Sequence, residues 1–362
     1  MARKDMLIRN CWYVAGWSYQ FSTDKPVQRM LLGEPVAIWR SGDGAIVVME
    51  DRCVHRLAPL SLGRIEGNQI RCMYHGLRFN AAGRCTQIPG QEIIPATACV
   101  RTYPVVERND WVWVWMGDPE RADPSRIAQS KALDDPRWVL KTGELHYQAN
   151  YELINDNLLD LTHLAYVHAT SFGAGPAWAE SRPKVEAIAE GVRSSRWIIR
   201  TPPVPPLGKA ADHQLVDIWT SYDFVLPGVF LLYTGIFPAG TAERCRNAAP
   251  PDDLPTLFAN FTSQAVTPTS ATTTSYYYSW GPAAEHGDEQ MAQAMIDVAT
   301  GAFLEDKLMI EAQQRIIDCA PDARPMPTSA DKAITIFSRL MRSQDSEAVW
   351  ITKQRTETTL TD

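Results

Sequence analysis

The stretch "CVHRLAPLSLGRIEGNQIRCMYHGLRF", residues 53 to 79, sets Cys53 and His55 one residue apart and then, after a gap of sixteen residues, Cys72 and His75 two residues apart. Either pair alone reads as a core thiol beside a turn histidine. Both pairs together resist that reading, because two thiols and two imidazoles in one short stretch make a donor set suited to iron or zinc. Gly63, Gly67 and Gly76 fit tight loops that would carry such donors.

Around this stretch, from residue 11 to about 116, short β-rich runs alternate with turns: "VQRMLLG", "PVAIWR", "AIVVMED", "QIRCMYHGLRFN", "ACVRTYPVVER" and "DWVWVWMG". In the last run, alternation puts Trp111, Trp113 and Trp115 on one face and Val112 and Val114 on the other. The pattern predicts an antiparallel β domain with a filled interior. "GDPERADPSR" (117 to 126), rich in Pro and charge, reads as the boundary, so residues 1–118 and 119–362 are expected as two domains. The second part shows a helical stretch near 151 to 168, β-rich runs through about 190 to 280, and a long helix from about Glu289 to Cys319. It reads as an α+β domain.

The 362 residues suffice for two real cores, and a net charge of −7 gives nucleic acid or an anionic membrane no general attraction. The basic start "MARKDMLIRNCWYVAGW" has only a short apolar run and no cleavage-like site, so no signal peptide is read. The apolar stretch "FVLPGVFLLYTGIF" (224 to 237) is broken by Pro227 and Gly228 and is too short to span a bilayer as a helix. A cytoplasmic location is expected. Seven cysteines, odd in number and uneven in spacing, do not look like a secreted disulfide framework. Cys11, Cys85, Cys99, Cys245 and Cys319 have no histidine at ligand spacing and read as buried small residues.

A second constellation lies in "YELINDNLLDLTHLAYVH" (151 to 168), where Asp156, Asn157, Asp160, His163 and His168 interrupt an otherwise apolar, helical segment. Asp160 and His163 share a helix face. His168 is five positions beyond His163, well round a straight helix, so common ligation requires the helix to end or deform between them. The blander reading is an amphipathic helix with a few buried polar residues. The later helix "AMIDVATGAFLEDKLMIEAQQRI" changes the balance. Its apolar stripe runs through Met295, Ala299, Ala302, Phe303, Met309, Ile310 and Gln313, with Asp306 inside it and Glu305 and Glu311 at or beyond its edge. A carboxylate on a buried face needs a partner, usually a cation. Two histidines and one carboxylate describe the facial triad of mononuclear non-haem iron(II) oxygenases, and His163, His168 and Asp306 would form it.

Cys-x-His followed by Cys-x2-His resembles the Rieske motif, in which two cysteines hold one iron of a 2Fe-2S cluster and two histidines the other. Pro59 and "YHG" at 74 to 76 match that motif's surroundings, while Val54 and Met73 stand where many relatives have proline. With "NCWYVAGW", "IPGQ", "YPVVERNDWVWVWMGDP", "NDNLLDLTHLAYVH" and "LEDKLMIEAQQ", the chain resembles, nearly end to end, the oxygenase component of Rieske non-haem iron oxygenases. It looks most like the subgroup containing vanillate O-demethylase and toluenesulfonate methyl-monooxygenase. The resemblance implies an N-terminal all-β Rieske domain and a C-terminal helix-grip-like α+β catalytic domain, assembled as a homotrimer. It implies a mononuclear Fe(II) in addition to the 2Fe-2S cluster, the two far apart within one chain, with electrons crossing from a neighbouring subunit's cluster. Asp160 matches the bridging acid that hydrogen-bonds His163 and, across the interface, the cluster histidine corresponding to His75; Asn157 matches a polar residue near the iron.

The implied activity is oxidation of a small aromatic substrate by dioxygen, with electrons from a separate flavin and iron-sulfur reductase that draws on NAD(P)H. No nicotinamide-binding glycine fingerprint occurs in the chain, in keeping with a separate reductase. O-demethylation of a methoxy-aromatic acid is the leading expectation; aryl-methyl hydroxylation or N-demethylation is the alternative. An electron carrier with an inactive second domain and a zinc-binding structural protein are the readings from other classes. Arg196 or Arg200 could hold a substrate anion, against the blander reading of a solvated strand face. "SYYYSW" (275 to 280) reads as core packing, and His146, His213 and His286 have no partner at ligand spacing.

Overall fold

A computed structural model describes residues 7–130, 132–168, 171, 176–203 and 208–344. The basic residues 3 and 4 and the chain beyond 344 lie outside them. Contacts divide the chain into two compact units. One takes Leu7–Ile127 with Thr267–Thr272, and the other takes Ala128–Val266 and the chain from Thr273 onward.

The first unit is all β. Its strands are β1 (Cys11–Trp17), β2 (Val27–Leu31), β3 (Glu34–Arg40), β4 (Ile46–Glu50), β5 (Arg64–Glu66), β6 (Gln69–Arg71), β7 (Arg78–Asn80), β8 (Cys85–Gln87), β9 (Val105–Arg108) and β10 (Trp111–Met116). They form three antiparallel sheets, ordered β1-β10-β9, β2-β3-β4 and β5-β6-β7-β8. All six residues of β10 are buried, so its tryptophan face and its valine face both pack inward. The expected run "QIRCMYHGLRFN" resolves into the β6–β7 hairpin, with the second Cys-x2-His on its connecting loop. Cys53 and Cys72 sit in a core of Ala37, Trp39, Met49, Leu60, Ile70, Leu77, Phe79 and Val100.

The second unit is α+β. Strands β11 (Lys141–Tyr147), β12 (Lys184–Ile188), β13 (Gly191–Thr201), β14 (Val216–Val225), β15 (Val229–Pro238), β16 (Phe258–Pro268) and β17 (Thr274–Pro282) make one seven-stranded sheet, ordered β11-β17-β16-β15-β14-β13-β12. Helices α1 (Tyr151–Leu159), α2 (Pro176–Glu180) and α3 (Thr241–Arg244) are short, whereas α4 (Glu289–Cys319) runs for 31 residues against β17 and β11. One antiparallel sheet packed on one long helix agrees with the expected helix-grip-like α+β domain. The α4–sheet seam is tight: Tyr276 and Tyr278 pack on Phe303, and Gly143 lies where a Cβ would meet the Tyr278 ring at 2.5 Å.

Three expectations need correction. The helical stretch does not reach residue 168; α1 ends at Leu159, because Asp160 adopts an extended conformation (φ −121°, ψ 95°) and its carboxylate caps a new 3-10 turn over Leu161–Ala165. The buried stripe of α4 is Ala292, Met295, Ile296, Ala299, Ala302, Asp306, Ile310 and Gln314, so Met309 and Gln313 face outward instead. Cys99 and Cys319 are exposed and Cys245 half-buried; only Cys11 and Cys85 of the five are core thiols.

Phe79 is fully buried in the core cluster that also holds Cys53 and Cys72. Phe79→Ala is expected to cost about 3–5 kcal/mol of the first unit's stability, measured as an earlier transition in tryptophan fluorescence during a urea titration.

Candidate active site

Two loops of the first unit present the Cys/His pairs, and they share one hydrogen-bond plan. In the first, Cys53 N donates to Ala58 O and Leu57 N to Cys53 O; in the second, Cys72 N donates to Leu77 O and Gly76 N to Cys72 O. Both plans need a left-handed residue at the fourth position after the cysteine. Leu57 (φ 60°) and Gly76 (φ 77°) supply it. Neighbouring groups brace each loop: Asp51 accepts from Ser61 N and Oγ, and Arg71 donates to Gly76 O while its Nε and Nη2 hold Glu66 and Nη2 also reaches Gln87. Those hydrogen bonds from Arg71, with Arg64, keep the Glu66 carboxyl down at about 2.

The donors separate by type. Cys53 and Cys72 are each 1% exposed and within hydrogen-bond reach of one another, while His55 and His75 are exposed with ring centroids 4.5 Å apart. Burial, together with the neighbouring Cys72, pushes the Cys53 thiol up to about 11. No three of these four donors converge as ligands to a single ion do; among the described residues only His163, His168 and Asp306 converge in that way. A sulfur pair beside an imidazole pair therefore fits a two-iron cluster and not one zinc ion.

In the second unit, the break after α1 overcomes the awkward spacing of the two histidines. With the chain turned at Asp160, the rings of His163 and His168 come to 5.3 Å, and Asp306 of α4 meets both: its Oδ1 lies 3.6 Å from His163 Nε2 and 3.2 Å from His168 Nε2. Asn157 Nδ2 donates to the same Oδ1 at 3.1 Å. Ligand atoms of the three residues all lie within 4.8 Å of one another. His163 Nδ1 bonds the Asp160 main-chain carbonyl at 2.6 Å, and the Asp160 carboxylate accepts from Thr162 N. So within the subunit Asp160 holds His163 by its carbonyl, not by its side chain.

Sequence reading missed Glu305, which it left at the edge of the α4 stripe. Glu305 Oε2 lies 2.8 Å from His168 Nδ1 and accepts from Ser171 Oγ at 2.8 Å. The hydrogen bond to His168, with that to Ser171, keeps its carboxyl below the usual range despite some desolvation. Burial opposes a charge on His168, but hydrogen bonds and the charges of Asp306 and Glu305 outweigh it, so its pKa is raised. Both histidines are thus oriented by Nδ1 and turn Nε2 toward Asp306, the arrangement that presents two imidazole lone pairs and a carboxylate to one cation. The signal available in the sequence was position alone: Glu305 precedes the buried Asp306.

These groups lie at the wall of a cavity of about 1030 Å³, counting its solvent-filled mouth. Strand alternation lines it: Ile218, Thr220 and Tyr222 from β14; Leu232, Thr234 and Ile236 from β15; Asn260, Thr262 and Gln264 from β16; Trp280 from β17. Leu158, Leu161, Leu164 and Phe303 add apolar surface beside the triad. Trp280 Nε1 donates to Asn260 Oδ1 and Tyr222 Oη to Gln264 Oε1, fixing both amides. Trp280 aside, "SYYYSW" is core, as read. Arg200 is exposed, whereas Arg196 is 6% exposed and donates to Trp178 O and Ser181 O. His146 and His286 make local bonds, to Ser275 Oγ and from Ala259 N.

A β domain with paired Cys/His loops, followed by a sheet-and-helix domain with a two-histidine, one-carboxylate cavity, is the plan of a Rieske-type oxygenase. Residues 11–104 match the Rieske [2Fe-2S] domain and residues 147–344 the vanillate O-demethylase oxygenase C-terminal domain. The chain is 40% identical to the iron-sulfur subunit of the toluene-4-sulfonate monooxygenase system of Comamonas testosteroni, over 94% of this chain and 99% of that one. It is 32% identical to a vanillate O-demethylase oxygenase subunit of a Pseudomonas species, over 95% and 97%. Among solved structures, dicamba monooxygenase bound to 3,6-dichlorosalicylic acid matches with a TM-score of 0.85 at 29% identity, covering 94% of this chain and 98% of that one. The chain belongs to the vanillate O-demethylase oxygenase family of Rieske non-haem iron oxygenases. It is an oxidoreductase whose cofactors are a Rieske cluster and a mononuclear iron.

Glu305→Ala is expected to weaken iron(II) binding at the triad about 10- to 100-fold, with Glu305→Gln less affected, in an anaerobic competition titration against a chromogenic chelator. A change under about twofold would leave Glu305 no part in orienting His168.

Proposed function

We propose that this chain is the terminal oxygenase of a multicomponent monooxygenase that removes the methyl group of a methoxy-aromatic acid. The observation that carries the reading is the His163–His168–Asp306 convergence at the wall of a largely apolar cavity. In this reading Cys53, His55, Cys72 and His75 hold the cluster, His163, His168 and Asp306 hold the iron, and residues 1–118 and 119–362 are the two domains. A separate reductase supplies electrons, dioxygen is the co-substrate, the assembly is a homotrimer and the location cytoplasmic. No helix among the described residues is long and apolar enough to cross a membrane, which agrees with that location.

The cluster supplies single electrons and the iron activates dioxygen; the remainder is the work of the chain. Asn157 fixes the Asp306 oxygen that faces both histidines. The Asp160 carbonyl and the Glu305 carboxylate set the histidine tautomers, leaving Nε2 of each ring as the ligand atom. Leu158, Leu161, Leu164 and Phe303 exclude water beside the triad, and the fixed amides of Asn260 and Gln264 orient the substrate. Hydroxylation of an Ar-O-CH3 carbon consumes one dioxygen, two electrons and two protons and gives a hemiacetal plus water. The hemiacetal then divides into a phenol and formaldehyde. One Asp160 carboxylate oxygen has no hydrogen bond among the described residues, which suits a bond to His75 of a neighbouring subunit.

The toluene-4-sulfonate relative's higher identity favours a second reading, hydroxylation of an aryl methyl group to an alcohol. Anaerobically purified protein is expected to hold about three irons and about two acid-labile sulfides per chain, with a Rieske signal by electron paramagnetic resonance. Asp306→Ala is expected to lose one iron and keep the signal. Formaldehyde from a methoxybenzoate supports the first reading and an alcohol from a methylbenzenesulfonate the second; two irons in both proteins would leave an electron carrier.

A further inference from the structure

Among the described residues of the second unit, Arg196 is the buried cation with no part in the triad or its supports. At 6% exposure, it has no carboxylate within ion-pair distance among the described residues. Its Nη1 donates to Trp178 O and Ser181 O, both at 2.9 Å, bracing the end of α2. Its Nη2 is buried with no acceptor among the described residues. Burial lowers its pKa to about 10, against the more distant Asp160, so it remains charged at neutral pH. A buried guanidinium without a counter-ion is costly, and bracing two carbonyls requires neither a full charge inside nor a second idle nitrogen.

The surroundings indicate where an acceptor belongs. Arg196 pairs in register with Thr220 across β13 and β14, so both side chains leave the same sheet face, and Thr220 lines the cavity. The guanidinium carbon lies 5.8 Å from the ring centroid of Trp178, which forms cavity wall and is itself 8% exposed. Trp178 Nε1 is a second buried donor with no acceptor among the described residues. Two idle donors, one of them charged, thus belong to a stacked pair whose indole lines the cavity, and no lysine or arginine among the described residues lines it directly.

We propose that Arg196 Nη2 and Trp178 Nε1 form an anion subsite of the cavity, which takes the carboxylate or sulfonate of an aromatic acid. This rests on reading the cavity as the oxygenase's substrate site. One oxyanion oxygen meets the indole N–H and another the guanidinium, which matches planar oxyanions better than an ammonium does. The ring of the acid then extends across the apolar wall, and the group to be oxidised reaches the triad.

The test measures calorimetric binding of 3-methoxybenzoate and of its methyl ester to the anaerobic holoenzyme. Arg196→Gln is expected to weaken the acid about 10- to 100-fold and the ester less than about twofold. Trp178→Phe, which keeps a ring but deletes the donor, is expected to weaken the acid by a smaller factor, and Arg196→Lys to recover part of the loss. A role confined to bracing α2 predicts instead a lower Tm in Arg196→Gln and equal losses for acid and ester. That result, or unaltered acid binding, would overturn the subsite. Product assays with a reductase separate this from the reaction itself. Formaldehyde from both compounds with no acid preference sinks the subsite alone, whereas acid-selective binding without any oxidised product sinks the oxygenase reading alone.

Discussion

A carboxylate held almost wholly out of solvent organises the catalytic unit. Asp306 is 2% exposed on the inner stripe of α4, and every element around it answers that charge. α1 sends Asn157 to its Oδ1, the turn after α1 brings His163, and the following segment brings His168. An isolated buried carboxylate would be strongly disfavoured, and two histidines, an amide and a cation together make it tolerable. The break at Asp160 follows from the same demand, since one continuous helix from 151 to 168 would point the two imidazoles apart.

The first unit meets a different constraint. Its two ligand loops are near copies in hydrogen bonding, yet one uses Gly76 and the other Leu57 at the left-handed position. A Cβ at Gly76 would come within 2.9 Å of Pro89 Cγ, so that loop has no room for a side chain. Leu57 points outward and is 63% exposed, so the first loop accepts one at a modest backbone cost.

Much of this was legible in the sequence. Most strands of the first unit (though not β1, β5 or β8), the two Cys/His pairs, the bounds of α4 and the burial of Asp306 follow from alternation, motif spacing and helical period. The break after Leu159 was not, because "NLLDLTHL" keeps an apolar periodicity through the turn, and only the capping by Asp160 reveals the end. Glu305 and Trp178 escaped because their roles depend on which distant segment faces them: His168 lies 137 residues before Glu305. Arg196 and Arg200 look alike on paper, four apart on one strand, but a register shift between Ile198 and Thr201 leaves the first buried and the second in solvent.

The division of labour in the cavity has an evolutionary consequence. The triad and its supports come from α1, the loop beyond it and α4, whereas other polar groups of the cavity wall stand on alternate positions of β14, β15 and β16. A substitution at Thr220, Thr234 or Asn260 changes the cavity wall and leaves the triad's supports in place. Such a scaffold can drift among aromatic substrates by single steps without passing through a variant that has lost its iron.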